Sequence, residues 1–310
     1  MQGPSYARLV SGELLPNAVA LVVLASALAC ASEPAPTADK TEAAPVANAE
    51  RKPRLGPAPR ESIAATAKAL PAPATVVKPA AVPLPKAEVQ IAAADGVTVY
   101  ADHYPLSEPP SSLSPMILLF HQAGWNASEY NAIAPRLNAL GFHVVAPDQR
   151  SGGTRGGRSN RTVKALGDST DFLQAYPDLV ATLAWAKQHH KGKLIVWGSS
   201  YSAALVFKLA AEHPADIQAV LSFSPGEYIG REGTVAGWAA GVDAPLFATS
   251  APGREVAATA AISAAARSGT KVHHKAAHGV HGSSILREDR NKKGAAPVWE
   301  AVEGFLAQVR

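Results

Sequence analysis

From Met116 to the C-terminus the chain alternates short, nearly continuous apolar runs with longer stretches whose apolar residues recur at helical spacing. "MILLF", "FHVVAPD", "KLIVW", "IQAVLSFSP", "APLFATSA" and "KVHHKAA" read as strands. Between and after them, "SEYNAIAPRLNALG", "DFLQAYPDLVATLAWAKQHH", "SAALVFKLAAEH", "REVAATAAISAAARSG" and "PVWEAVEGFLAQVR" read as helices. A strand that is apolar at consecutive positions is buried on both faces, and strands separated by helices run parallel. The pattern therefore predicts an α/β domain with a mostly parallel sheet and helices on both faces. Upstream, "EVQIAA" and "VTVYADHY" flank Asp95-Gly96, a turn pair that predicts an N-terminal antiparallel hairpin. Ser128 is the expected cap of the first helix and Gly141 its stop, and Pro177 is expected to interrupt the second.

Composition changes near Ala87, which divides the chain into residues 1–29, 30–86 and 87–310. The last segment, about 220 residues, is the size of one α/β domain. Segment 30–86 is dominated by Ala and Pro and holds few aromatics, so it is expected to be a disordered spacer. The apolar run Ala18–Ala29 has the length of a signal-peptide core and is too short for a span of about 20 residues. It ends at the chain's one cysteine, Cys30, which excludes an intramolecular disulfide. Leu28-Ala29-Cys30 resembles the lipobox of bacterial lipoproteins. That resemblance implies a cleaved signal, an acylated Cys30, and a membrane-anchored protein in a bacterial cell envelope facing the periplasm or exterior. Ordinary signal cleavage and an uncleaved anchor or misassigned start are the alternatives, and incorporation of labelled palmitate separates the lipobox reading from them. The net charge of +4 is small for 310 residues, so no nucleic-acid partner is expected. Arg150, Arg155, Arg158 and Arg161 cluster in a Gly-rich stretch, expected to be a mobile solvated loop, with recognition of anionic substrates as the other reading.

In "KLIVWGSSYSAALVFKLA" three serines stand where a strand gives way to a helix. A strand-to-helix turn sharp enough to present a nucleophile needs small residues two positions before and two after it. Ser200 has Gly198 and Ser202 there; Ser199 would have Trp197 and Tyr201, which do not fit. Ser202 lies past the glycine and one step into the helix. Ser200 is the candidate nucleophile, against the plainer reading of a helix N-cap. Oxyanion donors are expected from the amide of Tyr201 and from the loop "LLFHQAGWN", where Ala123 is preferred over Gln122. His121 in that loop is expected to be structural. Among the late histidines, His273 and His274 lie within a strand, whereas His278 and His281 follow its C-terminal end, the edge where open parallel sheets bind ligands. His281, before Gly282-Ser283-Ser284, is the candidate base, with His278 next. No ligand set at metal spacing accompanies them, and no metal or organic cofactor is expected. The orienting acid should lie between nucleophile and base. Glu255 in "TSAPGREV" is the candidate and Glu227 in "SFSPGEY" the alternative, while Asp243 stands at the wrong edge of the sheet.

The ordered set "FHQAG", "APDQRSGG", "GSSYS", "TSAPGRE" and "VHGSS" resembles the α/β-hydrolase superfamily, in particular small dienelactone-hydrolase-like members without a large cap, over Glu88 to Arg310. The resemblance implies hydrolysis of a carboxylic ester or related acyl bond in a small molecule, through a Ser-His-Glu triad and an acyl-enzyme. It also implies that Asp148 holds the turn after its strand. "GEYIGREGTVAGWAAGV" is then a loop and helix at the pocket rim. A serine peptidase would share the triad, and an inactive envelope lipoprotein would keep the fold without the chemistry.

Overall fold

The computed structural model describes residues 81–108 and 113–310. The expected signal 1–29, Cys30 and the spacer up to residue 80 lie outside the described residues. The strands, in chain order, are β1 (Val82–Pro83), β2 (Ala87–Ala92), β3 (Thr98–Tyr104), β4 (Leu106–Ser107), β5 (Met116–Phe120), β6 (His143–Pro147), β7 (Leu194–Ser199), β8 (Ile217–Phe223), β9 (Leu246–Ser250) and β10 (Lys271–Lys275). The helices are α1 (Ala134–Ala139), α2 (Arg161–Leu166), α3 (Tyr176–His189), α4 (Tyr201–Glu212), α5 (Thr234–Ala239), α6 (Arg254–Ala265) and α7 (Ala295–Val309).

Eight strands form one sheet in the order β10-β9-β8-β7-β5-β6-β3-β2. All neighbours from β10 to β6 are parallel; β3 pairs antiparallel with both β6 and β2. The expected hairpin is therefore present and extends the parallel sheet at one edge, turning at Asp95-Gly96 with Gly96 at φ 86°. β1 lies in the segment whose composition suggested spacer, yet it pairs antiparallel with β4, so the fold begins ahead of residue 87.

Strand geometry sends successive side chains to opposite faces, and here each face meets its own apolar core. Met116, Leu118, Phe120, Leu194, Val196 and Val220 join the core under α3 and α4. Ile117, Leu119, Ile195, Trp197, Leu221 and Phe223 join the core on the other face with Leu137 of α1 and Val298, Val302, Phe305 and Leu306 of α7. Each such side chain removed from water contributes about 1.5–3 kcal/mol. The double coverage explains why these strands carry no polar alternation.

Three local expectations are corrected. The segment expected as one helix after β5 is two pieces: a 3₁₀ turn over Ala127–Tyr130, then α1 with Pro135 in its first turn. The cap of the first piece is Asn126, whose side chain accepts the Ser128 N–H at 3.0 Å; Ser128 lies inside the turn. Pro177 does not interrupt its helix but sits in the first turn of α3, where the missing N–H would have no partner anyway. The arginine-rich stretch is not a solvated loop. Arg150 is buried between Asp95 (2.5 Å) and Asp178 (2.6 Å), and Arg158 pairs with Asp102 (3.0 Å) and Asp148 (3.1 Å). Arg161 pairs with Asp102, Asp148 and Glu88. Of the four, Arg155 alone is exposed.

Candidate active site

At the C-terminal end of β7 the chain turns straight into α4, and Ser200 occupies the turn with φ 60° and ψ −121°. A non-glycine residue at positive φ is strained, and such strain persists only where the surroundings impose it. Here α4 runs back so close to β7 that a Cβ on Gly198 would press into the Ser202 carbonyl and the Ala203 Cα. Only glycine fits two positions before Ser200. Two positions after, Ser202 is accommodated and fully buried, donating to the His121 carbonyl (2.6 Å) and accepting from Gln149 Nε2 (2.8 Å). Ser199 points to the opposite side of the strand, where its hydroxyl donates to Glu129 (2.8 Å) and accepts the Ser283 N–H (2.8 Å).

Ser200 Oγ lies 2.7 Å from His281 Nε2, and His281 Nδ1 lies 2.9 Å from Glu255 Oε1. His281 stands in the loop after β10, with Gly282 following at φ 69°; a Cβ there would meet Ser199 Oγ and Gln122. Glu255 opens α6, which packs behind β9. Burial alone would raise its carboxyl, but the bonds from His281, Ser224 and the Ala251 N–H outweigh it and hold the group below the usual glutamate range. It thus faces His281 as a carboxylate. Ser224, a second non-glycine residue at positive φ (56°), ends β8 and accepts the Gly282 N–H at 2.9 Å. One serine therefore supports both the acid and the loop of the histidine.

The loop after β5 approaches Ser200 from the other side. The Gln122 N–H is taken by Glu129 at 2.8 Å, whereas the N–H groups of Ala123 and of Tyr201, the first residue of α4, donate to no acceptor among the described residues. His121 is fully buried and bridges two loops, its Nδ1 against the Gln122 carbonyl (3.0 Å) and its Nε2 accepting the Gln149 N–H (2.9 Å). Burial pushes its imidazole down to about 4, so it is neutral and structural. Asp148 likewise holds loops, accepting from Ala127 N–H and from Arg158 and Arg161.

The other sequence candidates lie elsewhere in the fold. Glu227 accepts the N–H groups of Val235 (2.8 Å) and Ala236 (3.0 Å) and so holds the start of α5 rather than His281. His278 is exposed, and Asp243 pairs with Arg267. Among the described residues no group of His, Cys, Asp or Glu could hold a metal ion. Glu129 and Ser224 were missed by sequence reading. Nothing in "NASEY" marks its glutamate as buried, and "SFSP" hides a turn at positive φ.

Clefts flank the line Ser200–His281–Glu255. Phe172 stacks on Tyr201 at 4.5 Å, and Tyr228 meets His281 edge-on at 6.4 Å. Phe172, Leu173, Tyr228 and Ile229 line a cleft of about 310 Å³; Tyr228 also lines a cleft of about 450 Å³ together with Glu227, Arg254 and Glu255.

A family model described as serine aminopeptidase, S33, matches residues 112–284. No curated protein matches the chain at a significant level. Among solved structures, the dienelactone hydrolase of Anabaena variabilis superposes with TM-score 0.54 at 14% identity, covering 73% of this chain and 98% of that one. A highly thermostable carboxyl esterase of Bacillus coagulans gives 0.55 at 12% identity, covering 73% and 99%, and a Pyrococcus furiosus esterase gives 0.53 at 17%, covering 73% and 93%. At these identities the likeness is one of fold. The family match spans more than half of the chain, from the start of β5 through the loop that carries His281, and on that ground the chain belongs to the serine aminopeptidase S33 family of α/β-hydrolases.

Proposed function

We propose that the protein is a serine hydrolase that cleaves a carboxylic ester of a small molecule through an acyl-enzyme. The observation that carries this reading is the hydrogen-bonded line Ser200–His281–Glu255 at a strained strand-to-helix turn. His281 Nε2 takes the Ser200 proton as Oγ forms a bond to the acyl carbon, and the carbonyl π electrons move onto its oxygen. The amides of Ala123 and Tyr201 receive that oxyanion. Collapse breaks the acyl–oxygen bond, and the imidazolium returns the proton to the departing alkoxide. Water then repeats the sequence on the acyl-enzyme, with His281 again taking and returning a proton, and frees the acid and Ser200. Glu255 keeps Nδ1 as the protonated nitrogen and opposes the imidazolium charge.

Solved neighbours that are esterases support the ester as substrate, and clefts of about 310 and 450 Å³ suit small acyl and alcohol groups. The family's description supports a second reading, a serine peptidase, which would use the same groups on an amide. Turnover of p-nitrophenyl esters of increasing chain length, set against matched anilides, separates the two. The test of the nucleophile is covalent labelling by a fluorophosphonate. The label is expected once, on Ser200, and Ser200→Ala is expected to abolish it and to lower kcat on the order of 10⁴-fold or more. Label on Ser199 or Ser202 instead would sink the reading, and a folded wild-type chain that neither takes label nor turns over any ester would favour a protein that keeps the fold without the chemistry.

A further inference from the structure

Behind the catalytic line lies a charged side chain to which the hydrolytic reading assigns no part. Glu129 is fully buried in the 3₁₀ turn after β5. Its carboxyl accepts from the Gln122 N–H, from Gln122 Nε2 and from the Ser199 hydroxyl, each at 2.8 Å. Ser199 Oγ itself accepts the Ser283 N–H at 2.8 Å, which leaves its own hydrogen for Glu129. All three partners are donors. Burial lifts this carboxyl above its ordinary range against the pull of Gln122, Ser199 and the His281 imidazole.

These partners belong to three separate parts of the site. Gln122 precedes Ala123, Ser199 precedes Ser200, and Ser283 follows His281 by two residues. Gln122 Nε2 also reaches Ser284 Oγ at 3.4 Å. We propose, resting on the hydrolytic reading above, that Glu129 is a positioning residue: its carboxyl fixes the oxyanion loop against the nucleophile turn. The alignment of Ala123 N–H with the carbonyl then depends on a side chain that never touches substrate, because Glu129 holds both the backbone N–H and the side-chain amide of Gln122, the residue just before it.

The titratable groups around Glu129 are His281, Tyr130 and Tyr201; around His281 they are Glu255, Tyr228 and Glu129. Burial raises Glu129 and all three phenols, and the phenols stay neutral near pH 7.

The experiment follows the rate of fluorophosphonate addition to the full chain across pH, beside p-nitrophenyl acetate hydrolysis. Glu129→Gln is expected to take label about tenfold more slowly at neutral pH and to lower kcat with KM nearly unchanged. A folded Glu129→Gln chain with the wild-type labelling rate and kcat overturns the inference. Should that variant fail to fold, Ser199→Ala decides, because it removes the Ser199 hydroxyl's bonds to Glu129 and from the Ser283 N–H and leaves the Glu129 carboxyl in place. It is expected to label roughly threefold more slowly, and a wild-type rate there overturns the inference equally. A wild-type chain that takes no label and turns over no ester fails the hydrolytic reading, and this inference falls with it. Label on wild type with no change in Glu129→Gln fails this inference alone.

Discussion

Three serines occupy four positions at one turn and meet three different surroundings, because the backbone direction at each decides where its hydroxyl points. Ser199 continues the strand alternation and faces Glu129; Ser202, within the first turn of α4, faces His121 and Gln149. Ser200 alone, at positive φ, is turned toward His281. The same reasoning separates the two glutamates. Glu255 meets the imidazole at 2.9 Å, whereas both oxygens of Glu227 are taken by backbone N–H groups at the start of α5. Glu255→Gln is therefore expected to lower kcat roughly 10³-fold or more with the fold intact, because an amide at that place leaves the tautomer of His281 undetermined. Glu227→Gln is expected to keep turnover within about twofold and to show its cost in thermal stability, as loss of a helix-end acceptor does. Steady-state kinetics on the two variants, with circular dichroism to follow melting, checks both. The reverse pattern would move the acid's role to Glu227.

At the scale of elements, the site is a product of how closely two of them approach. β7 and α4 leave no room for a side chain at Gly198, so Gly198→Ala must push α4 away from the strand or twist the turn. That change is expected to cost about 3 kcal/mol, read as a lower urea midpoint, and to cut labelling of Ser200 more than stability alone explains, because the strained φ is lost with the contact. A Gly198→Ala chain with wild-type midpoint and labelling would deny that the close approach sets the turn. This spacing was legible in the sequence, as were the parallel sheet, the hairpin at Asp95-Gly96 and the helix stop at Gly141, because each follows from local sterics or from apolar period. What escaped was decided by partners distant in the chain. The arginine stretch reads as a solvated loop because its neighbours are glycines, yet its carboxylate partners Asp95, Asp102 and Asp178 come from the hairpin turn, β3 and α3. Val82–Pro83 reads as spacer by composition and is a strand only because β4 lies beside it. Ser128 is the local exception: it reads as a cap, but Asn126, two residues earlier, accepts its N–H and holds the turn.

Across the described residues, the arginine loop fastens the antiparallel edge of the sheet to the parallel part that carries Ser200, Glu255 and His281. Arg158 and Arg161 join Asp102 of β3 to Asp148 at the end of β6, and Arg150 joins the hairpin turn at Asp95 to Asp178 of α3. Burial would raise Asp102, but the charges of Arg161 and Arg158 reverse that and hold it below the ordinary aspartate range. A carboxyl held low in the fold contributes stability that is complete above its unfolded value and is lost as pH falls through the folded one, so this edge should weaken below about pH 4. Asp178 is the opposite case. Burial pushes it up even with the Arg150 guanidinium against it, and its side chain is fully enclosed. Arg150→Ala would leave burial opposed only by the backbone N–H of residue 150. Breaking a buried pair from one side costs about 3–5 kcal/mol, because the remaining charge has lost its partner and not its desolvation. The loss is expected in full at neutral pH. As pH falls, Asp178 in the variant takes up a proton before it does in the wild type, and the gap between the two chains should narrow. Urea midpoints for both chains from pH 5 to 8 check the sign: a gap that widens toward acid, or that stays within about 0.5 kcal/mol at every pH, would mean that Arg150 is not what joins the hairpin to α3.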